Sequence, residues 1–248
     1  MTNALEGKVT LVTGGGRGIG AGICEEFARQ GATVMVNDLH DNDTTQETLT
    51  RLRGMGGTVG FIAGDVANVA TVTELVEATV KKFGQIDVLV NNAGDGRYDR
   101  PEDIDEEKWD RALGIHLKGP FFAAKAAAPH MLRAGGGRII NIASEQAFIG
   151  YAVLAHYTAA KAGLLTLTRS LAQAWAPTIT VNAVCPGPTD TPKMREGHEF
   201  TDEVREEIPL KRFGLPRDVA LSVAFLAGDG GAFYTGQHLD PNGGTVMP

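Results

Sequence analysis

Tyr157 and Lys161 stand four positions apart in the run Tyr157-Thr158-Ala159-Ala160-Lys161, with Ser144 a short way upstream. On a helix such positions share a face, so the ammonium can act on the phenol and on anything bound beside it. A free phenol titrates near ~10, and bringing it to about 7 takes roughly 4 kcal/mol of preference for the phenolate. One unit charge at ~4 Å under an effective dielectric near ~20 supplies about that much. The pair is therefore an acid–base device in magnitude as well as in spacing. A tyrosine and a lysine also meet by chance on ordinary solvated helices, so the surrounding sequence has to decide.

The elements that must position this pair begin at the N-terminus. Residues 8–13 form an apolar strand pattern that runs into Gly14-Gly15-Gly16-Arg17-Gly18-Ile19-Gly20, followed by the helical spacing Ile23, Phe27, Ala28. A glycine-rich turn between a strand and a helix lets backbone amides approach a pyrophosphate where the helix dipole favours negative charge. A second strand pattern over 33–37 ends in Asp38, whose carboxylate can accept from ribose hydroxyls. Loop, helix and acid together spell a dinucleotide site.

Further strand patterns occupy 58–63, 86–91, 137–143, 179–185 and 237–240. Between the third and fourth of the seven, Val72, Leu75, Val76, Val80 and Phe83 make one helical stripe that Gly84 can end. Unbroken strand–helix alternation predicts an α/β fold, a doubly wound Rossmann-type parallel sheet with helices on both faces and the ligand at the carboxyl ends of the strands. With 248 residues, 43% hydrophobic content and no Pro- or Ser-rich linker, one domain over 1–248 is expected.

A net charge of −7 without a Lys/Arg-dense run argues against nucleic acid or an anionic membrane as partner. No apolar run is long enough to span a bilayer, and no signal peptide is evident. Cys24 and Cys185 give neither a disulfide framework nor metal-ligand spacing, and His40, His130, His156, His198 and His238 are scattered, so no metal is expected. A cytoplasmic location is the expectation. Ser144 lacks the Gly-x-Ser-x-Gly elbow of a hydrolase nucleophile.

In order and spacing, Thr13-Gly14-x-x-x-Gly18-x-Gly20, Asn91-Asn92-Ala93-Gly94, Ser144, Tyr157-x-x-x-Lys161 and Pro186-Gly187 resemble the short-chain dehydrogenase/reductase family. The resemblance covers essentially the whole chain, through Thr235-Gly236-Gln237 and Asn242-Gly243-Gly244. It implies that Tyr157 is the acid–base residue, that Ser144 hydrogen-bonds the substrate oxygen, and that Lys161 holds the nicotinamide ribose while lowering the Tyr157 pKa. It implies cofactor contacts from Gly14, Gly16, Arg17, Gly18, Ile19 and Gly20, from Asp38 and Leu39, and from Asp65 and Val66 beside the adenine. Asn92, Ala93 and Gly94 would line the adenosine side, Tyr157 and Lys161 would meet the cofactor too, and Pro186, Gly187, Thr189 and Thr191 would lie near the carboxamide. Two residues keep a second reading: Asp65 as a cap of the following helix, and Asn91 as support for strand backbone.

The family's fourth active-site member, an asparagine, is matched by His116 in Gly114-Ile115-His116-Leu117-Lys118-Gly119. Either the imidazole is a buried replacement or it joins the proton path. The resemblance also implies a helix distorted at this residue, whose main-chain carbonyl holds a water that reaches the lysine. Pro120 lies four residues on and lacks the N–H that would otherwise bond that carbonyl.

Residues 190–214 resemble the family's substrate loop, and Asp95, Arg97, Glu145, Gln146, Tyr151 and His156 are candidates to face the substrate. The expected activity is NAD(H)-dependent interconversion of a small-molecule secondary alcohol and a ketone. The alternatives are a 3-oxoacyl-carrier-protein reductase and a non-catalytic dinucleotide-binding sensor or scaffold. A homotetramer is expected by resemblance, packed through the long helices near 108–133 and 153–175, whose small residues include Ala123, Ala124, Ala159, Ala162 and Gly163.

Overall fold

Alternating apolar side chains decide the layering. In the computed structural model, which describes residues 4–96, 98–197 and 200–248, β1 (Val9–Val12) leads into α1 (Gly18–Arg29), then β2 (Thr33–Asp38) and α2 (Asp43–Gly54). β3 (Val59–Ala63), α3 (Val69–Phe83) and β4 (Val88–Asn91) follow. The long helical stretch is built in three parts, α4 (Glu106–Leu113), a π-helical turn Gly114–Lys118, and α5 (Gly119–Ala134). Next come β5 (Gly137–Ile142), the short α6 (Gln146–Ile149), α7 (Ala155–Trp175) and β6 (Ile179–Val184). Two short helices, α8 (Pro192–Glu196) and α9 (Asp202–Glu207), precede α10 (Pro216–Ala227) and the terminal strand β7 (His238–Leu239). Arg97 and His198 lie outside the described residues.

All seven strands run parallel in the order β3-β2-β1-β4-β5-β6-β7. Successive side chains on a strand point to opposite faces. Val12, Val34, Val36 and Val90 accordingly pack on one side with Ile23, Phe27, Leu49, Leu52 and Val223, from α1, α2 and α10. Leu11, Met35, Leu89 and Ile139 pack on the other with Val72, Leu75, Ala127, Met131 and Leu171, from α3, α5 and α7. The seven strand patterns and the Val72-Leu75-Val76 stripe thus land where periodicity places them.

The strand order reverses direction between β1 and β4, opening a crevice at their carboxyl ends. The glycine loop, Asp38, Asn92-Ala93-Gly94, Ser144 and Pro186-Gly187 follow or end strands at that edge, whereas Thr235-Gly236-Gln237 precedes β7 and lies away from it. Among the described residues no helix is long and apolar enough to cross a membrane.

Candidate active site

The first half of the site is built around α1. Gly14 has φ +62°, and a Cβ there would sit 2.7 Å from Ala93 Cα; at Gly20 it would sit 2.0 Å from the Gly14 carbonyl oxygen. Only glycine permits this approach of loop, helix and β4. α1 then starts with no side-chain cap, which leaves its first amides available to an anion. Asn92 holds the loop from the side, its amide donating to the carbonyls of Thr13 (2.9 Å) and Gly14 (3.0 Å). Asp38 accepts from Gly16 N at 2.9 Å and from Leu39 N at 2.8 Å. A carboxylate has about four acceptor positions, so capacity remains for ribose hydroxyls.

These groups surround a cavity of about 440 Å³ lined by Gly14, Arg17, Gly18, Ile19, Gly20, Asp38, Leu39, Asp65, Val66, Asn92, Ala93, Gly94 and Thr191. Gly16 is not in that lining. Its N–H is committed to Asp38 and its carbonyl to the Thr48 hydroxyl, so it shapes the wall from behind. The capping reading of Asp65 is corrected: Asn68 caps α3, while Asp65 accepts from Ala67 N and from Arg111. Asn91 turns inward, donating to Asn141 Oδ1 and the Pro120 carbonyl, which is the supporting role.

A second cavity, about 480 Å³, opens beside the first and shares Ile19, Asn92, Gly94, Thr191 and Lys193 with it. Ser144, Tyr157, Lys161 and His116 line it together with Pro186, Gly187 and Thr189. Ser144 follows β5, accepts from Gln146 N at 3.2 Å and hydrogen-bonds the phenol of Tyr157. Lys161 is buried and donates to the Ile142 carbonyl at 2.5 Å, with its Nζ 5.6 Å from the centre of the Tyr157 ring. Burial lowers the lysine from 10.5 to about 8. Burial also holds the phenol above its ordinary value, against the Ser144 hydrogen bond, with Cys185 and Glu145 adding to the rise. Lys161, expected to lower the Tyr157 pKa, is not among the groups that set this direction. The ammonium lies over the ring, and desolvation dominates.

His116 sits on the π-helical turn, where the Gly119 N–H reaches back five residues to the Gly114 carbonyl. Its ring meets that of Tyr157 edge to face, centroids 4.9 Å apart at 84°. Nε2 lies 3.1 Å from the Asp95 carbonyl, which can only accept, so Nε2 carries the proton. Nδ1 is then a buried lone pair with no hydrogen-bond partner among the described residues. Burial pushes the imidazole below its ordinary pKa, the Asp95 contacts opposing and Lys161 reinforcing the shift. A neutral ring is the form this environment holds at neutral pH.

Among the other candidates, Glu145, Gln146 and Tyr151 line the second cavity and Asp95 the first. His156 does not face the substrate space; it is buried, with Nε2 3.7 Å from Asp99. Adjacent helix positions point about a quarter-turn apart, so a neighbour of Tyr157 need not share its outlook. The loop over 190–214 contributes Met194, Val204, Glu207 and Ile208, and the carboxyl-terminal segment contributes Thr245. Sequence spacing also concealed a group formed by Cys185, His238 and Asp240, whose ligand-type atoms lie within 4.8 Å of one another. Hydrogen bonding accounts for it: Asp240 bonds both the Cys185 thiol and His238 Nδ1.

An open parallel sheet with a dinucleotide cleft at its switch point, contiguous with a Ser-Tyr-Lys cavity, defines a nicotinamide-dinucleotide oxidoreductase. Residues 14–246 match a family described as Enoyl-(Acyl carrier protein) reductase. The chain is 39% identical to the glucose and ribitol dehydrogenase of Daucus carota, over 99% of this chain and 87% of that one. It superposes on a short-chain dehydrogenase/reductase from Serratia marcescens with a TM-score of 0.93 at 36% identity, covering 98% of this chain and 100% of that one. It also superposes on a 3-ketoacyl-(acyl-carrier-protein) reductase from Brucella melitensis complexed with NADH, with a TM-score of 0.89 at 34% identity and coverage of 98% and 100%. The chain belongs to the short-chain dehydrogenase/reductase family.

Proposed function

We propose that the protein is an NAD(H)-dependent oxidoreductase that interconverts a secondary alcohol and a ketone. The observation that carries this reading is the junction of the two cavities, with Ser144, Tyr157 and Lys161 on one side and the glycine loop and Asp38 on the other. The bound nicotinamide supplies or accepts the hydride. Tyr157 gives its proton to the oxygen that gains charge during reduction, or takes one from the alcohol during oxidation. Ser144 orients that oxygen and donates to it. Lys161 holds the ribose, and Gly14, Gly18, Ile19 and Gly20 present backbone to the pyrophosphate. Asp65, Val66, Asn92, Ala93 and Gly94 border the adenosine, and Pro186, Gly187, Thr189 and Thr191 border the carboxamide. A homotetramer joined through α4, α5 and α7, in the cytoplasm, belongs to the same proposal.

Asp38 selects the dinucleotide. Its carboxylate repels a 2′-phosphate and accepts from free ribose hydroxyls, while Arg17, in the glycine loop on the same cavity, is a cation that opposes this. Steady-state kinetics followed by nicotinamide absorbance should give kcat/KM at least ~10-fold higher with NAD(H) than with NADP(H), a difference of about 1.4 kcal/mol. Asp38→Ala should narrow the ratio. A wild-type preference for NADP(H) would overturn the assignment.

A second reading, reduction of a 3-oxoacyl group on a carrier protein, draws on the similarity to the Brucella melitensis reductase. An acidic carrier needs a basic docking face, and the net charge of −7 weighs against it. A panel of alcohols, ketones and an acylated carrier separates the two, and no turnover across the whole panel would favour a non-catalytic dinucleotide sensor or scaffold.

The relay behind Tyr157 follows from backbone more than from the imidazole. The π-helical turn and Pro120 together leave the His116 carbonyl without its α-helical donor, so it can serve a water that reaches Lys161. Replacing His116 by Asn should therefore leave kcat at pH 7 within about threefold, and the pH–rate profile should keep its shape around ~6.5. His116→Ala serves as the control for the ring contact, with folding checked by circular dichroism. Large losses in both variants, together with disappearance of an ionisation, would assign the relay to the imidazole instead.

A further inference from the structure

The second cavity carries a charge that the chemistry above does not use. Glu145 follows Ser144 directly, and its backbone N–H donates to the Pro186 carbonyl at 3.1 Å. The residue is 5% exposed, yet it lines the cavity that holds Ser144 and Tyr157. One carboxylate oxygen accepts from the Thr245 hydroxyl, and a carboxylate offers about four acceptor positions, so capacity remains for a donor on a ligand. Gln146, the next residue, also lines the cavity and keeps a buried Oε1 without a partner among the described residues. Glu207 adds a second carboxylate to the same wall. Of the two lysines that line the cavity among the described residues, Lys161 is committed to Ile142 and to its catalytic task, and Lys193 acts on Asp95.

Buried acceptors without donors are costly unless the ligand supplies the donors. The buried Gln146 Oε1 and the buried Glu145 carboxylate, one residue from the serine assigned to the reacting oxygen, match hydroxyls on the carbons beside the reacting carbon, and the exposed carboxylate of Glu207 lines the same cavity. The same wall disfavours a carboxylate or phosphate there by like-charge repulsion. It also leaves a plain hydrocarbon chain facing unpaired polar atoms.

We propose that Glu145 is a specificity-determining residue that accepts a hydrogen bond from a substrate hydroxyl adjacent to the reacting carbon, so that the substrate class is a polyol or its hydroxyketone. This rests on the alcohol–ketone chemistry assigned above and deepens it. A site built to pair a hydroxyl rejects the analogue lacking it far more strongly than an apolar pocket rejects a change of one methylene. Glu145 can alternatively be read as a latch that merely pins the carboxyl-terminal segment through Thr245, and the test has to separate the two.

The test compares kcat/KM of the purified enzyme for a linear polyol, a secondary monoalcohol and a hydroxy acid of matched carbon skeleton, with NAD in excess. Wild type should prefer the polyol over both by ~10-fold or more. Glu145→Ala should collapse that ratio, and Glu145→Gln, which keeps an acceptor, should restore part of it. Thr245→Val removes the latch and keeps the carboxylate, so the preference should survive in it. A wild-type enzyme that turns over the monoalcohol as well as the polyol overturns the proposal alone. So does an unchanged ratio in Glu145→Ala, or a ratio lost in a folded Thr245→Val. Absence of turnover with every alcohol and ketone defeats the oxidoreductase reading and this proposal with it. Should Glu145→Ala fail to fold, Glu145→Gln and Thr245→Val decide.

Discussion

Tyr157→Phe should lower kcat by about 10²–10⁴-fold while the dissociation constant for the dinucleotide stays within about twofold of wild type. The substitution keeps the ring, its edge-to-face contact with His116 and its packing under Lys161, and removes only the hydroxyl that hydrogen-bonds Ser144. A loss confined to kcat is the signature of an interaction made in the transition state. The pH dependence sharpens the expectation. Because burial holds the phenol above its ordinary value, the protonated form dominates at neutral pH, which suits proton donation during ketone reduction. Alcohol oxidation needs the phenolate and should accelerate as pH rises, whereas reduction should slow at alkaline pH. Both slopes should flatten in Tyr157→Phe. Near wild-type turnover with either substrate would remove Tyr157 from the acid–base role.

The parts of this protein that sequence made legible are those governed by short-range periodicity. Leu11 and Val12 separate the two faces of the sheet because strand geometry has a period of two, and Gly14 and Gly20 announce themselves because no other residue fits their contacts. Tyr157 and Lys161 share a face for the same local reason. What was not legible depends on where distant segments return. Thr245 reaches Glu145 across 100 positions, and no local pattern marks that meeting. His156 adjoins Tyr157 in sequence but turns toward Asp99, and Cys185 joins His238 and Asp240 only because β7 pairs beside β6. Asp65 and Asn68 both carry capping side chains, and the backbone geometry at Asn68 chose between them. The sign of the electrostatics at Tyr157 was also hidden. Spacing shows that a lysine can reach the phenol, but burial, which spacing does not report, is the largest influence on its pKa.

Burial sets up the second large effect as well. Lys161 is 4% exposed and titrates near about 8 in the folded protein, below its ordinary 10.5. A lysine whose folded pKa is depressed binds its proton less readily folded than unfolded. Between about 8 and 10.5 the unfolded chain therefore holds more protons, and stability rises with pH through that window. Below it the buried charge exacts its full cost, about 3 kcal/mol at 1.36 kcal/mol per pKa unit. Methionine preserves most of the side-chain volume and removes the charge, at the loss of one hydrogen bond to the Ile142 carbonyl worth about 1 kcal/mol. Lys161→Met should accordingly raise the melting temperature of the protein at pH 7 by a few degrees, since about 1 kcal/mol corresponds to roughly 2–4 °C in a chain of this size. The advantage should shrink as pH approaches ~10.5. Turnover should move the other way, with kcat down by orders of magnitude and the dinucleotide bound more weakly, because one ammonium serves both the ribose and the phenol. Thermal unfolding at pH 7 and near pH 10, set beside cofactor binding and steady-state kinetics, reads out both halves. A variant that is less stable at pH 7 and equally inactive would mean that Lys161 is a structural post. A more stable and inactive one identifies a charge kept in the core, against the fold's own preference, for what it does to the bound cofactor and substrate.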